Sequence, residues 1–417
     1  MDTLNNILSE LNQRAIPYYV QKAKDKKSFV DIPFTSKKDL LKSQLKYPPY
    51  GDFTDSAYSI KQIYRTSGTT AEPLLLAFSE EDIEFITDVG ADCYSYSGMG
   101  EVGNQEVVIN CLNLSMWAGG FLDSQSMLKT GAQVINFGTG NTTELIKLVI
   151  KMSQTYKVSV HCTPSYLPAI KARLEKEFNM GPDELNIWKF YLGAEGGLQN
   201  NEFRNKLQSE WGCIVLNANY GMSEVCSIMA SANENNILRF SPLYLINYVN
   251  EVKLPSGEVC LLETLKVGEE GELVVSSLRK QCQPVIRYET KENIRIVNIS
   301  DGEIFFEIVG RKDDMIVVKG INFFPEQVRA IITKFVELTG AYKIQATKKD
   351  NLITHLNLLC EINANQSSNN DDLKRRIIKA IRDELTVSME VNFVYEIPLV
   401  GNKVKVLDVI EEDTCTK

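Results

Sequence analysis

The sequence predicts an α/β fold, with a large layered N-terminal α/β domain followed by a small mobile C-terminal α+β domain. Three observations lead there. At 417 residues the chain exceeds what one core comfortably organises, so two unequal domains are expected. Ahead of residue 215, short apolar runs alternate with stretches of helical periodicity, the pattern of a layered α/β unit. Near residue 310 the texture changes to short strands around two amphipathic helices, which sets the expected domains at 1–309 and 314–417, with a hinge near 310–313.

In chain order, "DIPFTSKKDLLKSQLKYPPYG" (31–51) offers Thr35 or Ser36 as the cap of a short helix. "IYRTSGTTAEPLLLAF" (63–78) sets Thr66, Ser67, Thr69 and Thr70 around Gly68 between two apolar runs. Read alone, this loop is a polar hairpin turn, yet donors converging in that way also suit an anion such as a nucleotide phosphate. "SEEDIEFITDVGADCYSY" (79–96) opens with Ser79 and Asp82 at capping-box spacing and continues with Ile83, Ile86 and Val89. "EVVINCLNL", "AQVINF" and "KVSVHC" read as strands, and "TTELIKLVIKMSQTY" and "NEFRNKLQSEW" as helices.

Past residue 310, "DDMIVVKG" reads as a strand and "PEQVRAIITKFVELTG" (325–340) as a helix. Pro325 stands near its start and Gly340 past its end, with Val328, Ile331, Ile332, Phe335 and Leu338 on one side. "AYKIQATKK", "NLITHLNLLCEI" and "EVNFVYEI" are strand-like, and "DDLKRRIIKAIRDEL" (371–385) is a helix with Leu373, Ile377, Ile381 and Leu385 four apart. "NANQSSNNDD" is a polar loop.

A net charge of −9 argues against nucleic acid as a partner, because such a surface must neutralise phosphates. The nine cysteines show no CxxC or Cys/His cluster, and no apolar run is long enough to span a membrane. A reducing cytoplasm, with no membrane partner, is the expected setting. "GMGEVG" (98–103) matches a dinucleotide-binding pattern by letter, but it precedes a strand-like run and reads as a turn. The two histidines, His161 and His355, lie in apolar stretches far apart in sequence, a poor basis for a metal site or a triad.

Four further stretches are too polar for core: "LGAEGG" (192–197), "NANYGMSEVCS" (217–227), "RYETKE" (287–292) and "GRKDDMIVVKGINFFPEQV" (310–328). In this order after "TSGTT", they resemble the adenylate-forming enzyme superfamily. "PFTSKKDL", "TPSY" and "INFFPEQV" resemble in particular its phenylacetate-CoA ligase branch. The resemblance covers nearly the whole chain from residue 33 onward.

It implies ATP-dependent activation of an aryl or other small-molecule carboxylic acid as an acyl-adenylate. Transfer to a thiol follows, with coenzyme A as acceptor and a carrier protein's pantetheine or an amine as alternatives. By the same resemblance, Thr66, Ser67, Gly68, Thr69 and Thr70 would hold the β- and γ-phosphates, with Gly193, Ala194 and Glu195 completing the nucleotide site. Tyr220 and Gly221 would pack against adenine, Ser223 would lie near the α-phosphate, Glu224 would place Mg²⁺, and Glu292 and Arg311 would bind ribose. Asp313 would be the hinge, and Lys403 the late catalytic lysine. Trp117 and Phe121 are candidates for the acid pocket.

Three departures from the family pattern involve four residues. Ala71 and Glu72 stand where glycine and lysine are usual, Glu292 replaces an aspartate, and Asn402 takes the place of the late lysine, with Lys403 and Lys405 nearby. These departures motivate the rival reading, a non-catalytic nucleotide- or acyl-binding descendant of the same fold.

Overall fold

The computed structural model of the chain describes residues 2–66, 73–194, 198–311, 316–318, 321–323, 325–349, 352–363, 370–385, 387–397 and 406–411. Ser67, Gly68, Thr69, Thr70, Ala71, Glu72, Glu195, Asp313, Asn402, Lys403 and Lys405 lie outside them.

The hydroxyl-rich segment joins two paired strands. β1 (Gln62–Arg65) and β2 (Leu75–Phe78) are antiparallel, with Arg65 opposite Leu75, so the backbone is that of a hairpin. β3 (Glu106–Asn110), β4 (Gln133–Asn136), β5 (Lys157–Cys162), β6 (Lys189–Gly193) and β7 (Ile214–Met222) run parallel in the spatial order β4-β3-β5-β6-β7. β3 and β6 are buried at every residue, as expected of parallel strands covered on both faces by crossover helices. β8 (Cys226–Ala232), β9 (Leu238–Phe240), β10 (Val249–Lys253), β11 (Val259–Leu261), β12 (Glu270–Ser277), β13 (Val285–Ser300) and β14 (Glu303–Arg311) extend the same sheet. Their order, β7-β8-β9-β14-β13-β12-β10-β11, is antiparallel throughout.

Local chemistry sets the helix starts. Ser79 caps the helix Glu80–Tyr96: its Oγ accepts from Asp82 N at 3.0 Å, and Asp82 Oδ2 accepts from Ser79 N at 2.9 Å. Ser36, not Thr35, caps the helix Lys37–Lys46 in the same way. Thr35 instead docks on β13, donating its N–H to Arg287 O at 2.8 Å and its hydroxyl to Ile286 O at 2.8 Å. Arg287 completes that junction. Buried and paired to Glu251 through Nε at 3.0 Å and Nη2 at 2.9 Å, it also donates to Ile32 O at 2.8 Å. This arginine of "RYETKE" therefore pins the segment that carries Ser36 and Lys37 to the sheet.

Beyond β14, β15 (Ile316–Val318) and β16 (Ile321–Phe323) form a two-stranded ribbon. β17 (Leu338–Lys349), β18 (Leu352–Ile362), β19 (Glu390–Val394) and β20 (Leu407–Glu411) form a separate sheet in the order β19-β18-β17-β20. The helices Pro325–Ile332 and Asp371–Leu385 close one core with it, burying Val328, Ile331, Ile332, Leu373, Ile377 and Ile381. Lys206 Nζ, on the helix Asn201–Trp211, donates to Leu338 O at 2.6 Å across to the large sheet's side.

One expected boundary is corrected. The helix at Pro325 ends at Ile332, and Gly340 lies inside β17 with φ of 95°. Phe335 N bonds Ile332 O and Leu338 N bonds Phe335 O, so the chain leaves the helix through tight turns and Leu338 enters the sheet opposite Ile362. Phe335 and Leu338 are three apart, a spacing that both a helix face and this turn-then-strand can bury.

Candidate active site

The motif "NANYGMSE" runs along the end of β7 and into its tight turn to β8. A Cβ at Gly221 would lie 2.3 Å from Ser227 O, so only glycine lets β8 approach this closely. Gly193, the last residue of β6, is under the same constraint: a Cβ there would lie 2.5 Å from Asn219 Cβ. Ala194 follows with φ of 61°, turning the chain away from the sheet.

Tyr220 is buried, its ring edge-on to Phe306 of β14 at 5.3 Å. Its hydroxyl makes no hydrogen bond among the described residues. Burial and then the nearby Glu292 carboxylate push that hydroxyl well above the usual phenol range, with Arg311 pulling the other way. Glu292 and Arg311 are cross-strand partners on β13 and β14, joined from Arg311 Nη1 to Glu292 Oε1 at 2.5 Å. Tyr220, Glu292 and Arg311 thus form one cluster.

Glu224 sits in the β7–β8 turn, buried to 8% exposure, with Oε1 2.9 Å from Lys37 Nζ. Its backbone carbonyl accepts from Lys280 Nζ at 3.0 Å. Burial pushes that lysine amine down to about 8, against the pull of Asp82 and Glu224. Lys280 also lies 4.6 Å from the centre of the Phe78 ring on β2, which ties Glu224 to the hairpin. Ser223, beside Glu224, is partly exposed.

At the neck of the hairpin Thr66 is buried, donating its N–H to Leu74 O at 3.0 Å and accepting from Leu74 N on Oγ1 at 3.1 Å. Thr66 therefore closes the base of the loop. Arg65 N donates to Met116 O at 2.8 Å, which seats the start of the helix Ala118–Lys129 against this neck. Trp117 occupies the N-cap of that helix, and Phe121 is 41% exposed with its ring 6.1 Å from that of Tyr64.

The sequence did not single out Lys37, Lys280 or the buried Asp123–Asn219 pair. Lys37 had a signal: a cation in the first helical turn opposes the helix dipole, so its position calls for an anionic partner. His161 stands apart from this cluster. Its Nε2 lies 3.0 Å from Tyr94 OH, and burial lowers it to about 3, so it is neutral. "GMGEVG" forms turns and a short 3₁₀ segment, Gly103–Gln105.

The donor set suits a nucleotide and Mg²⁺. Magnesium bound chiefly through phosphates needs only one or two protein carboxylates, and the carboxylate present at this turn is that of Glu224, paired with Lys37. No group of three or more His, Cys, Asp or Glu that could cage a metal occurs among the described residues. If the Tyr220 ring serves as a stacking surface and its hydroxyl stays unpaired, Tyr220→Phe leaves the KM for ATP within about threefold and raises Tm slightly, since it removes an unsatisfied buried hydroxyl. A tenfold rise in KM would show that the hydroxyl bonds the nucleotide.

Comparison with known proteins shows similarity of sequence and of fold. Residues 320–412 match the AMP-binding enzyme C-terminal domain. The phenylacetate-coenzyme A ligase of Aromatoleum evansii is 29% identical over 347 residues, covering 81% of this chain and 74% of that protein. That of Thermus thermophilus is 24% identical over 382 residues, covering 86% and 81%. The structure of 2-hydroxyisobutyryl-CoA ligase in the postadenylation state with 2-HIB-AMP has a TM-score of 0.82 at 20% identity, covers 99% of this chain and 90% of that one, and is a likeness of fold. The chain thus matches the AMP-binding enzyme C-terminal domain over residues 320–412, has the adenylate-forming fold and is similar to phenylacetate-coenzyme A ligases over most of its length.

Proposed function

We propose that the chain is an AMP-forming acid–thiol ligase: it joins a carboxylic acid to the α-phosphate of ATP, releases pyrophosphate, and passes the acyl group to the thiol of coenzyme A. The observation that carries this reading is the convergence of Tyr220, the Glu292–Arg311 pair and Glu224 at one end of β7, tied through Lys280 and Phe78 to the hydroxyl-rich hairpin. In this reading Tyr220 and Gly221 shape the adenine surface, and Glu292, with Arg311 beside it, meets the ribose hydroxyls. The side-chain carboxylate of glutamate reaches one methylene further than that of aspartate, and the arginine bound to it fixes its direction. Magnesium, when bound, would neutralise charge on the phosphates, and Glu224 would hold it.

Gly193, Ala194 and Glu195 would border the nucleotide, Thr66 would hold the base of the loop, and Ser67, Gly68, Thr69 and Thr70 would meet the outer phosphates. The segment beyond residue 310 would act as a lid turning at Asp313 between the two half-reactions. The eight described cysteines are all free thiols, which supports a reducing, cytoplasmic setting. No described helix is long and apolar enough to cross a membrane.

The test is acid-dependent exchange of labelled pyrophosphate into ATP across a panel of aromatic and aliphatic acids, followed by thioester formation with coenzyme A, a phosphopantetheinyl carrier protein or an amine. Exchange that needs both an acid and Mg²⁺ is the expected result. ATP binding without exchange for any acid would favour the non-catalytic binding module.

A further inference from the structure

The helix Asn201–Trp211 faces two ways. Phe203, Leu207 and Trp211 pack into the core with Phe190 of β6 and Val215 of β7. Phe203 and Lys206, three apart and so on one side of the helix, also meet the small sheet where it begins. Lys206 Nζ donates to Leu338 O at 2.6 Å, its one hydrogen bond among the described residues. Burial lowers the pKa of this amine, with Glu210 pulling it back up. Two residues beyond Leu338, Gly340 lies against the Phe203 ring: a Cβ there would stand 3.4 Å from Phe203 Cε2. Arg329, on the helix Pro325–Ile332, sets its guanidinium over two rings, 5.6 Å from the centre of Phe203 and 5.1 Å from that of Tyr342 on β17.

What this contact holds gives it a consequence for the reaction. Leu338 is the first residue of β17, and β17 runs parallel to β20, with Ile344 N donating to Val406 O. In sequence Val406 directly follows the segment that carries Lys403. Holding the start of β17 therefore holds the sheet from which that segment departs. The contact is also separable: Gly340 presents no side chain to the ring, so the two surfaces part without a knob leaving a hole. Two structures of one 2-hydroxyisobutyryl-CoA ligase, each 20% identical to this chain and covering 99% of it, match it unequally. The TM-score is 0.82 for its postadenylation state and 0.64 for its thioesterification state with CoA. Identity and coverage being equal, the difference lies in the arrangement of the parts, and the arrangement here is nearer the first.

We propose that Lys206 is a positioning residue: with Phe203 and Arg329 it clamps the start of β17 in the arrangement that forms the acyl-adenylate, and this clamp opens before the thiol attacks. The inference rests on the acid–thiol ligase reading with its lid turning at Asp313. If two arrangements of one chain serve the two half-reactions, the ratio of the two rates follows the ratio of their populations. Removing a hydrogen bond made in only one arrangement shifts that ratio by about tenfold, whichever arrangement dominates.

The experiment measures the two half-reactions of the full chain separately, with the best acid from the panel. One is ATP–pyrophosphate exchange; the other is single-turnover transfer from the preformed acyl-adenylate to coenzyme A, or to whichever acceptor the parent uses. Lys206→Met keeps the length of the stem and deletes the donor, and it should lower the ratio of exchange to transfer about tenfold. Lys206→Arg keeps a charged donor and should hold the ratio within about threefold of the parent. Should Lys206→Met lose the parent's circular dichroism, Arg329→Met decides from the other side of the contact, where the same fall in ratio is expected. Loss of packing alone slows both half-reactions together and leaves the ratio in place. An unchanged ratio in the folded variant would overturn the inference and leave the ligase reading standing. A parent with no exchange, or with exchange but no transfer to any acceptor, would overturn the ligase reading and this inference with it.

Discussion

Glu224→Gln is expected to lower acid-dependent pyrophosphate exchange about a hundredfold or more while Tm hardly moves. The two halves of this expectation have different causes. The activity loss follows from charge: a neutral amide is a far weaker ligand for Mg²⁺ than a carboxylate, and the rate of such a reaction depends heavily on stabilising the charge that develops on phosphate. The small effect on stability follows from geometry. Lys37, the partner of the Glu224 carboxylate, has a side chain that is 41% exposed, and an ion pair with one solvated partner contributes on the order of 0–1 kcal/mol. The turn itself is held by the backbone carbonyl of Glu224 on Lys280, which the substitution leaves intact. Exchange kinetics at limiting Mg²⁺ alongside a thermal melt would separate the two. Parent-like exchange would remove Glu224 from metal binding, and a collapse in Tm would make its role structural.

Much of the fold was legible where local signals and tertiary packing agree. Ser79 and Asp82 announced a helix start that the structure realises as a reciprocal cap, and "DDLKRRIIKAIRDEL" is one helix, Asp371–Leu385, with Leu373, Ile377 and Ile381 buried. The parallel strands β3 and β5 were readable because strands covered on both faces become short apolar runs between helices, and β4, the edge strand, was readable from its short apolar run although it is only partly covered. The antiparallel half, β8 to β14, gave no comparable signal. Among its strands the one α-helix in the described residues is the six-residue Pro242–Asn247, and its inward and outward positions mix buried charges such as Glu251, Glu272 and Arg287 with apolar residues.

The site was legible as motifs and not as contacts. "YGMSE" and "RYETKE" identify Tyr220, Glu224 and Glu292, but no spacing along the chain shows that Arg311 faces Glu292 across two strands. Nor does it show that Lys37 reaches Glu224 from a distance of nearly two hundred residues in sequence. Arg287 was the converse case. It sits inside a functional motif, yet its guanidinium is fully committed to Glu251 and to the carbonyls of Val30 and Ile32, so its work is to hold the N-terminal segment in place.

Lys403→Ala should lower adenylation by about a hundredfold or more and Lys405→Ala by much less, a contrast that separates ligase from binding module. A cation beside the attacking carboxylate and the α-phosphate stabilises charge that grows in the transition state, worth roughly 3 to 4 kcal/mol for a well-placed donor. Asn402, which follows Gly401 where the family places its lysine, cannot supply that charge. In an extended chain Lys403 and Lys405 both alternate to the side opposite Asn402, so either needs a local shift to take its place. Glycine immediately before Asn402 makes such a shift inexpensive for the nearer lysine, because its backbone reaches conformations closed to other residues. The anchor for that segment lies just downstream: Val406 O accepts from Ile344 N at 2.6 Å, and β20 then runs parallel to β17 from Leu407. In sequence Lys405 directly precedes this anchored residue, whereas Lys403 lies nearer Gly401. The comparison is made in the adenylation half-reaction, with the best acid from the panel. A loss confined to Lys403→Ala would assign it the charge-stabilising role, an equal loss in both would point to a general electrostatic effect of the segment, and no loss in either, in an active parent, would remove the late lysine from the mechanism.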